Sequence, residues 1–233
     1  MSPVVGRPLS LVYSSVMRAR NWSYDSWLKP SPQFSVPVIS IGNLTVGGTG
    51  KTPFVDHLLQ WCRSQNIVAG VISRGYGGNF SGVKRVDAKD NPEKVGDEPW
   101  MLFQRHLQTP IYVCADRVQA ARELLIQNPS VNLIIADDAF QHRRLYRDMD
   151  IVILDMMESQ ENYLVLPEGR ARESFQGLLR ANFVILNKIN LAPAEYSLQV
   201  KEELKSIDFP EENILESHYH PHQILNVCDR QTF

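Results

Sequence analysis

Four groups of residues in this chain have the types and spacing for phosphate chemistry. The first is the unbroken run Gly42-Asn43-Leu44-Thr45-Val46-Gly47-Gly48-Thr49-Gly50-Lys51-Thr52, followed by Pro53. Gly50-Lys51-Thr52 forms the second half of a Walker A loop. Its glycines let backbone N–H groups wrap a phosphate, its lysine reaches the β- and γ-phosphates, and its threonine hydroxyl faces Mg²⁺. Thr45, Val46, Gly47, Gly48, Thr49, Gly50, Lys51 and Thr52 are therefore expected to cradle a nucleotide. The usual GxxxxGK[ST] spacing begins on glycine; here Thr45 holds that place, and Gly47 and Gly48 lie inside the loop. Pro53 suits a first helical turn, where its missing N–H costs nothing.

The second group is Asp137-Asp138-Ala139-Phe140-Gln141-His142, directly after the apolar run 131–136. A carboxylate at the end of a buried strand, downstream of such a loop, has the Walker B arrangement that holds Mg²⁺ directly or through water. The alternative for the pair is a helix cap or turn. The third group, Asp97-Glu98-Pro99, follows Gly96 at an expected helix start. N-capping accounts for one acid there, while a general base or a further Mg²⁺ contact accounts for its place near a nucleotide. An unperturbed aspartate near pKa 3.9 is a weak base, so the second role needs a tuning neighbour.

The fourth group is cationic. Ser73-Arg74-Gly75-Tyr76-Gly77-Gly78 closes a strand with a flexible loop, suited either to substrate or to an ordinary surface turn. Leu166-Pro167-Glu168-Gly169-Arg170-Ala171-Arg172-Glu173 carries closely spaced arginines suited to phosphate charge or to solvent. His218, His220 and His222 alternate and could suggest a metal, but nothing acidic or sulfur-bearing is taken to complete the ligand set. Asn187-Lys188 resembles a guanine-reading loop, with Asn190 where an NKxD pattern has its aspartate.

These groups need a scaffold that brings loops together. Short apolar runs at 36–41, 67–73, 111–114, 133–136, 151–154 and 183–186 read as strands, with helical patterns at 53–63, 98–106, 117–127 and 194–206. Near-continuous apolar strands separated by helices predict an α/β fold with a mostly parallel sheet covered on both faces. Ligands in such folds collect at the carboxyl ends of the strands, where all four groups fall.

The N-terminal 1–30 segment stands apart from the expected nucleotide-binding domain at 31–233. Leu9, Val12, Tyr13, Val16 and Met17 recur at helical spacing, flanked by Arg18, Arg20 and Lys29 and followed by Trp22, Tyr24 and Trp27. The stripe fits a helix packed on its own domain or one lying in a membrane interface. Lys29-Pro30-Ser31-Pro32 reads as the linker.

Composition excludes other classes. A 233-residue chain with net charge −2 has no global basic field for nucleic acid. Its 43% hydrophobic content argues against long disorder. Three cysteines without a CxxC pair argue against a disulfide scaffold or cysteine zinc site, and a reducing compartment is expected.

The motifs taken together and in order resemble the tetraacyldisaccharide 4'-kinase family of lipid A synthesis. The resemblance rests on 42–53, Ser73 to Gly77, Gly96-Asp97-Glu98-Pro99, Asp137 to His142 and Leu166 to Arg170, and covers nearly the whole chain. It implies transfer of the ATP γ-phosphoryl group to the 4'-hydroxyl of a tetraacyl glucosamine disaccharide 1-phosphate. It also implies Mg²⁺, an acylated lipid partner and a peripheral place on the cytoplasmic face of the inner membrane, and tips the N-terminal helix toward the interfacial reading. By the same resemblance Lys51 and Thr52 bind ATP and Mg²⁺, Asp137 and Asp138 hold the metal, and Asp97 is the base. Arg74, Tyr76, Glu98, His142, Arg117 and Arg172 are expected around the substrates.

The chain departs from the pattern at Ala139, where glycine is common. Family members also continue into a second portion with a Gly-Ile-Ala-type strand and an Asp-His-His-type motif, whose histidine partners the acid of the Asp-Glu-Pro motif. This sequence stops at Phe233 before either, so the expectations extend to a catalytically silent nucleotide-binding fragment. A P-loop NTPase switch or accessory protein is the alternative of another class.

Overall fold

In a computed structural model, which describes residues 3–26 and 31–220, the chain forms one eight-stranded sheet flanked by helices. Trp27, Lys29, Pro30, His222 and Cys228 lie outside the described residues, and with them part of the expected linker and histidine cluster.

The strands are β1 (Val38–Asn43), β2 (Ala69–Ser73), β3 (Lys84–Arg85), β4 (Ile111–Val113), β5 (Leu133–Asp137), β6 (Met149–Asp155), β7 (Phe183–Asn187) and β8 (Ile214–Ser217). Their order across the sheet is β3-β4-β2-β5-β1-β6-β7-β8. Every neighbouring pair is parallel except β3 with β4. The six expected strands are present; β3 and β8 extend the two edges.

The helices are α1 (Pro3–Asp25), α2 (Lys51–Ser64), α3 (Pro92–Val95), α4 (Asp97–Arg105), α5 (Arg117–Gln127) and α6 (Ala194–Ser206). Successive strand residues point to opposite faces, so one strand feeds two cores. Leu133 and Ile135 of β5, with Ile153 and Ile185, share a core with Val55 and Leu59 of α2 and Leu102 of α4. Ile134 and Ala136 meet Val118, Ala121 and Leu124 of α5, while Val152, Leu154 and Val184 meet Val200 and Leu204 of α6. Burial on both faces is why these strands read as continuous apolar runs.

Strands β1 and β5 pair in register from Val38 with Ile134 to Ile41 with Asp137. That register brings the end of β1, which enters the glycine loop, beside the end of β5, which enters the acidic loop. Gly42 permits the approach: a Cβ there would sit 2.4 Å from the Phe140 Cβ.

Candidate nucleotide and phosphate-transfer site

The Walker A loop turns into α2 at Gly50, whose φ of 89° lies in the left-handed region open to glycine. A Cβ at Gly50 would also come within 2.4 Å of Asn187 Nδ2, which donates to the Thr49 carbonyl at 3.0 Å. Helix α2 begins at Lys51, two residues before the expected start, so Lys51 and Thr52 occupy the helix N-terminus where backbone N–H groups face an anion. Both side chains are buried. The other flank of the loop is held by the arginine segment: Val46 N donates to the Arg170 carbonyl at 2.8 Å, and Arg172 N to the Leu44 carbonyl at 2.8 Å.

The acidic loop brings its carboxylates to this flank. Lys51 Nζ lies 3.6 Å from Asp138 Oδ1 and 3.5 Å from the Gly47 carbonyl oxygen. Arg172 Nη1 donates to both Asp138 carboxylate oxygens at 3.1 Å. The Asp138 backbone has φ 47°, unusual for a residue with a side chain. Arg117 braces it, donating through Nη2 to the Asp138 carbonyl at 3.0 Å. Burial pushes the Asp138 carboxyl upward, but Lys51 and Arg172 outweigh it and leave the group below the ordinary aspartate range.

Asp137 has the opposite balance. It is fully buried, accepts one hydrogen bond from Ser73 Oγ at 3.3 Å, and leaves Oδ1 without a partner among the described residues. Burial first, then the charges of Glu98 and Asp138, push its pKa up to about 7. The free Asp137 oxygen, the Asp138 carboxylate and the Thr52 hydroxyl at the start of α2 are all oxygen donors. Such hard ligands fit Mg²⁺.

Lys51, Thr52, Thr49, Glu98 and Asn187 line a cleft of about 900 Å³ that extends to Tyr219 beyond β8. Here Asn190 is engaged: its side chain donates to the Tyr219 carbonyl at 2.9 Å and accepts from Tyr219 N at 2.8 Å. Lys188 pairs with Asp155. Asn187 and Lys188 thus shape the cleft as structural partners, and Asn190 is turned toward the chain.

Asp97 and Glu98 form the exposed first turn of α4. Gly96 precedes them with φ 93°, and a Cβ there would come within 2.6 Å of the Tyr76 carbonyl oxygen. The Gly75–Gly77 loop and the Asp-Glu-Pro turn are therefore packed backbone to backbone. Arg74 and Tyr76 line a separate depression of about 410 Å³ with Cys114, Asp116 and Gln119. His142 Nε2 lies 3.9 Å from Asp116 Oδ1. Burial, with Arg117 adding to it, lowers the His142 pKa to about 4, so the ring is neutral at pH 7.

The site also uses residues that motif spacing did not single out. Gln141 Nε2 donates to the Asn43 carbonyl at 2.8 Å, and Gln141 Oε1 accepts from Arg172 Nη1 at 3.1 Å. Buried Glu173 accepts two bonds from Arg180 Nη2, at 3.0 and 2.9 Å. Both residues sit inside the acidic and arginine motifs, but only the fold shows that they support the arginine on Asp138.

Residues 4–232 match the tetraacyldisaccharide-1-P 4'-kinase family. A tetraacyldisaccharide 4'-kinase of Bdellovibrio bacteriovorus is 45% identical over 205 residues, which are 87% of this chain and 58% of that protein. One from Methylobacillus flagellatus is 39% identical over 231 residues, 97% of this chain and 69% of that protein. The chain thus spans about three fifths to two thirds of these relatives' length. A crystal structure of LpxK from Aquifex aeolicus in complex with ATP superposes with a TM-score of 0.72 at 25% identity, covering 92% of this chain and 81% of that one. With a match that runs from residue 4 to residue 232, this chain belongs to the tetraacyldisaccharide-1-P 4'-kinase family.

Proposed function

We propose that the chain carries the phosphoryl-transfer site of a lipid A 4'-kinase. Its reaction would move the ATP γ-phosphoryl group to the 4'-hydroxyl of a tetraacyl glucosamine disaccharide 1-phosphate. The observation that carries this reading is the convergence of two cations on Asp138 beside the glycine loop, Lys51 at 3.6 Å and Arg172 at 3.1 Å. Phosphoryl transfer is catalysed chiefly by positioning and charge stabilisation, and this arrangement is built for both. Lys51 meets the transferring phosphate, and the N–H groups of the loop hold the phosphates behind it. Asp137, Asp138 and Thr52 are the groups that would hold Mg²⁺, which when bound neutralises charge on the phosphate oxygens. Lys51 and Arg172 keep Asp138 ionised for that role.

Asp97 is the residue proposed to take the proton of the sugar hydroxyl, with Glu98 beside it in the cleft and Arg74, Tyr76 and His142 toward the sugar. Neutral His142 would serve as a hydrogen-bonding group rather than a cation.

The same reading places the protein on the cytoplasmic face of the inner membrane, through α1. Leu11, Val12, Val16 and Trp22 of this helix are each more than half exposed, while Ser10 is buried. An apolar outer face beside a hydrogen-bonded inner face suits an interfacial helix. Among the described residues no helix is long and apolar enough to cross a membrane.

The test is phosphorylation of a tetraacyl disaccharide 1-phosphate in mixed micelles with Mg-ATP. Transfer to the 4'-position that disappears in Lys51→Ala supports the proposal. Mg-ATP binding without transfer identifies a nucleotide-binding portion, and lipid-independent hydrolysis coupled to dimerisation identifies a switch protein.

A further inference from the structure

The inner face of α1 is joined to the nucleotide site by a continuous series of hydrogen bonds. Asn21 Nδ2 donates to Glu173 Oε2 at 3.1 Å. Gln141 Nε2 donates to Glu173 Oε1 at 3.3 Å. The other end of that amide, Oε1, accepts from Arg172 Nη1, which in turn grips Asp138. Arg20 adds a second tie from α1, donating through Nη2 to the Gln141 carbonyl at 2.8 Å.

The chemistry of this series fixes its direction. The Gln141 amide nitrogen faces two acceptors, the Asn43 carbonyl and Glu173, while its oxygen faces the Arg172 guanidinium. Turning the amide over would set acceptor against acceptor at Asn43 and Glu173 and donor against donor at Arg172. Glu173 is a buried carboxylate compensated by Arg180, Gln141 and Asn21. Arg180 itself lies over the Phe140 ring of the acidic loop at 4.6 Å. The groups facing Asp138 from the surrounding elements are Lys51, Arg172 and Arg117, and among these Arg172 is the one connected to α1.

We propose that α1 is a positioning element of the metal carboxylate, with Asn21, Arg20, Gln141 and Glu173 as positioning residues. By holding Glu173 and Gln141, the helix fixes Arg172 on Asp138 and so sets the carboxylate that receives Mg²⁺. The same helix turns Val12 and Val16 outward, so its seating on the body and its exposed apolar face are two sides of one element. This inference rests on the assignment of Asp138 as a metal carboxylate, but not on the identity of the lipid acceptor.

The experiment uses the full chain without lipid. ATP binding is titrated by calorimetry across a Mg²⁺ series and in EDTA, for wild type, Asn21→Ala, Asn21→Asp and the outer-face control Val12→Ser. Residues that orient metal ligands affect metal affinity by about tenfold or more when they touch the ligand. For Asn21, which acts through three intermediates, Glu173, Gln141 and Arg172, the half-saturating Mg²⁺ should rise by about threefold to tenfold. Asn21→Asp, which sets a carboxylate against Glu173, should exceed Asn21→Ala. ATP affinity in EDTA and the melting temperature should stay near wild type in Asn21→Ala, and Val12→Ser should match wild type throughout.

An unchanged Mg²⁺ requirement in both Asn21 variants overturns the inference. Equal losses in EDTA and in Mg²⁺ also overturn it, because they indicate a purely structural role. A wild-type protein whose ATP binding does not depend on Mg²⁺ refutes the metal assignment itself. Absence of lipid phosphorylation alone refutes only the function proposed above.

Discussion

The two acidic pairs of the site sit in contrasting surroundings. Asp137-Asp138 ends a buried strand, and its charge is contested by burial on one side and by Lys51 and Arg172 on the other. Asp97-Glu98 opens a short helix at the surface, where the helix N-terminus and water already accommodate negative charge. Among the described residues, no side-chain hydrogen bond or ion pair reaches Asp97. The difference separates two tasks. On the function proposed above, the buried pair, with its unpartnered Asp137 oxygen, is the place for a metal, and the exposed acid is the one that meets a substrate hydroxyl.

This contrast can be broken first at Lys51, the cation 3.6 Å from Asp138. Lys51→Ala should weaken Mg-ATP binding by about thirtyfold or more, since removing one partner of a buried charged contact costs about 2–5 kcal/mol. Calorimetric titration measures it, and an affinity within twofold of wild type would exclude the loop from nucleotide binding. Gly50→Ala should come next. It forces a Cβ into a left-handed residue and against the amide that holds Thr49. A cost of about 1–2 kcal/mol in loop geometry should lower ATP affinity by roughly tenfold with the fold retained by circular dichroism.

A smaller effect is expected on the outside of α1. Replacing Val12 and Val16 together by serine should reduce flotation with anionic vesicles severalfold while Mg-ATP affinity stays constant. Equal flotation would contradict the interfacial helix.

A separate effect, on stability rather than binding, concerns His142, whose pKa falls from 6.5 unfolded to about 4 folded. Below pH 6.5 the unfolded chain binds a proton that the folded protein refuses. Stability should therefore be intact above that pH and decline as pH falls toward 4. In His142→Gln the decline over this window should be shallower in urea titrations.

Much of this architecture was legible because its physics is local. The six inner strands are buried on both faces, so each is an apolar run that stands out from its surroundings. Strand β3 is the dipeptide Lys84–Arg85, and β8 is half exposed with a glutamate in its four residues. Neither carries an apolar run long enough to announce a strand. The glycine loop and acidic loop were likewise visible as spacing.

The supports were not visible. Asn21 meets Glu173 across 152 positions, and Gln141 meets Asn43 across 98, so no periodicity links them. The apolar stripe of α1 was divided by the fold in a way that spacing cannot show. Tyr13 and Met17 turn partly inward, while Leu9, Val12 and Val16 stay outside. Arg20, which flanks the stripe in the sequence, donates to the Gln141 carbonyl. Hydrogen bonds to the body, rather than the count of apolar residues, decide which side of this helix faces in.

The division of labour between the two acidic pairs is tested most directly by one side-by-side titration. Mg-ATP binding is measured for Asp138→Ala and Asp97→Ala against wild type, with and without Mg²⁺. Asp138→Ala should abolish the Mg²⁺ dependence of binding, and Asp97→Ala should keep both affinity and Mg²⁺ dependence within about threefold of wild type, a difference under about 1 kcal/mol. Equal losses in the two variants would place Asp97 among the metal ligands and contradict the assignment.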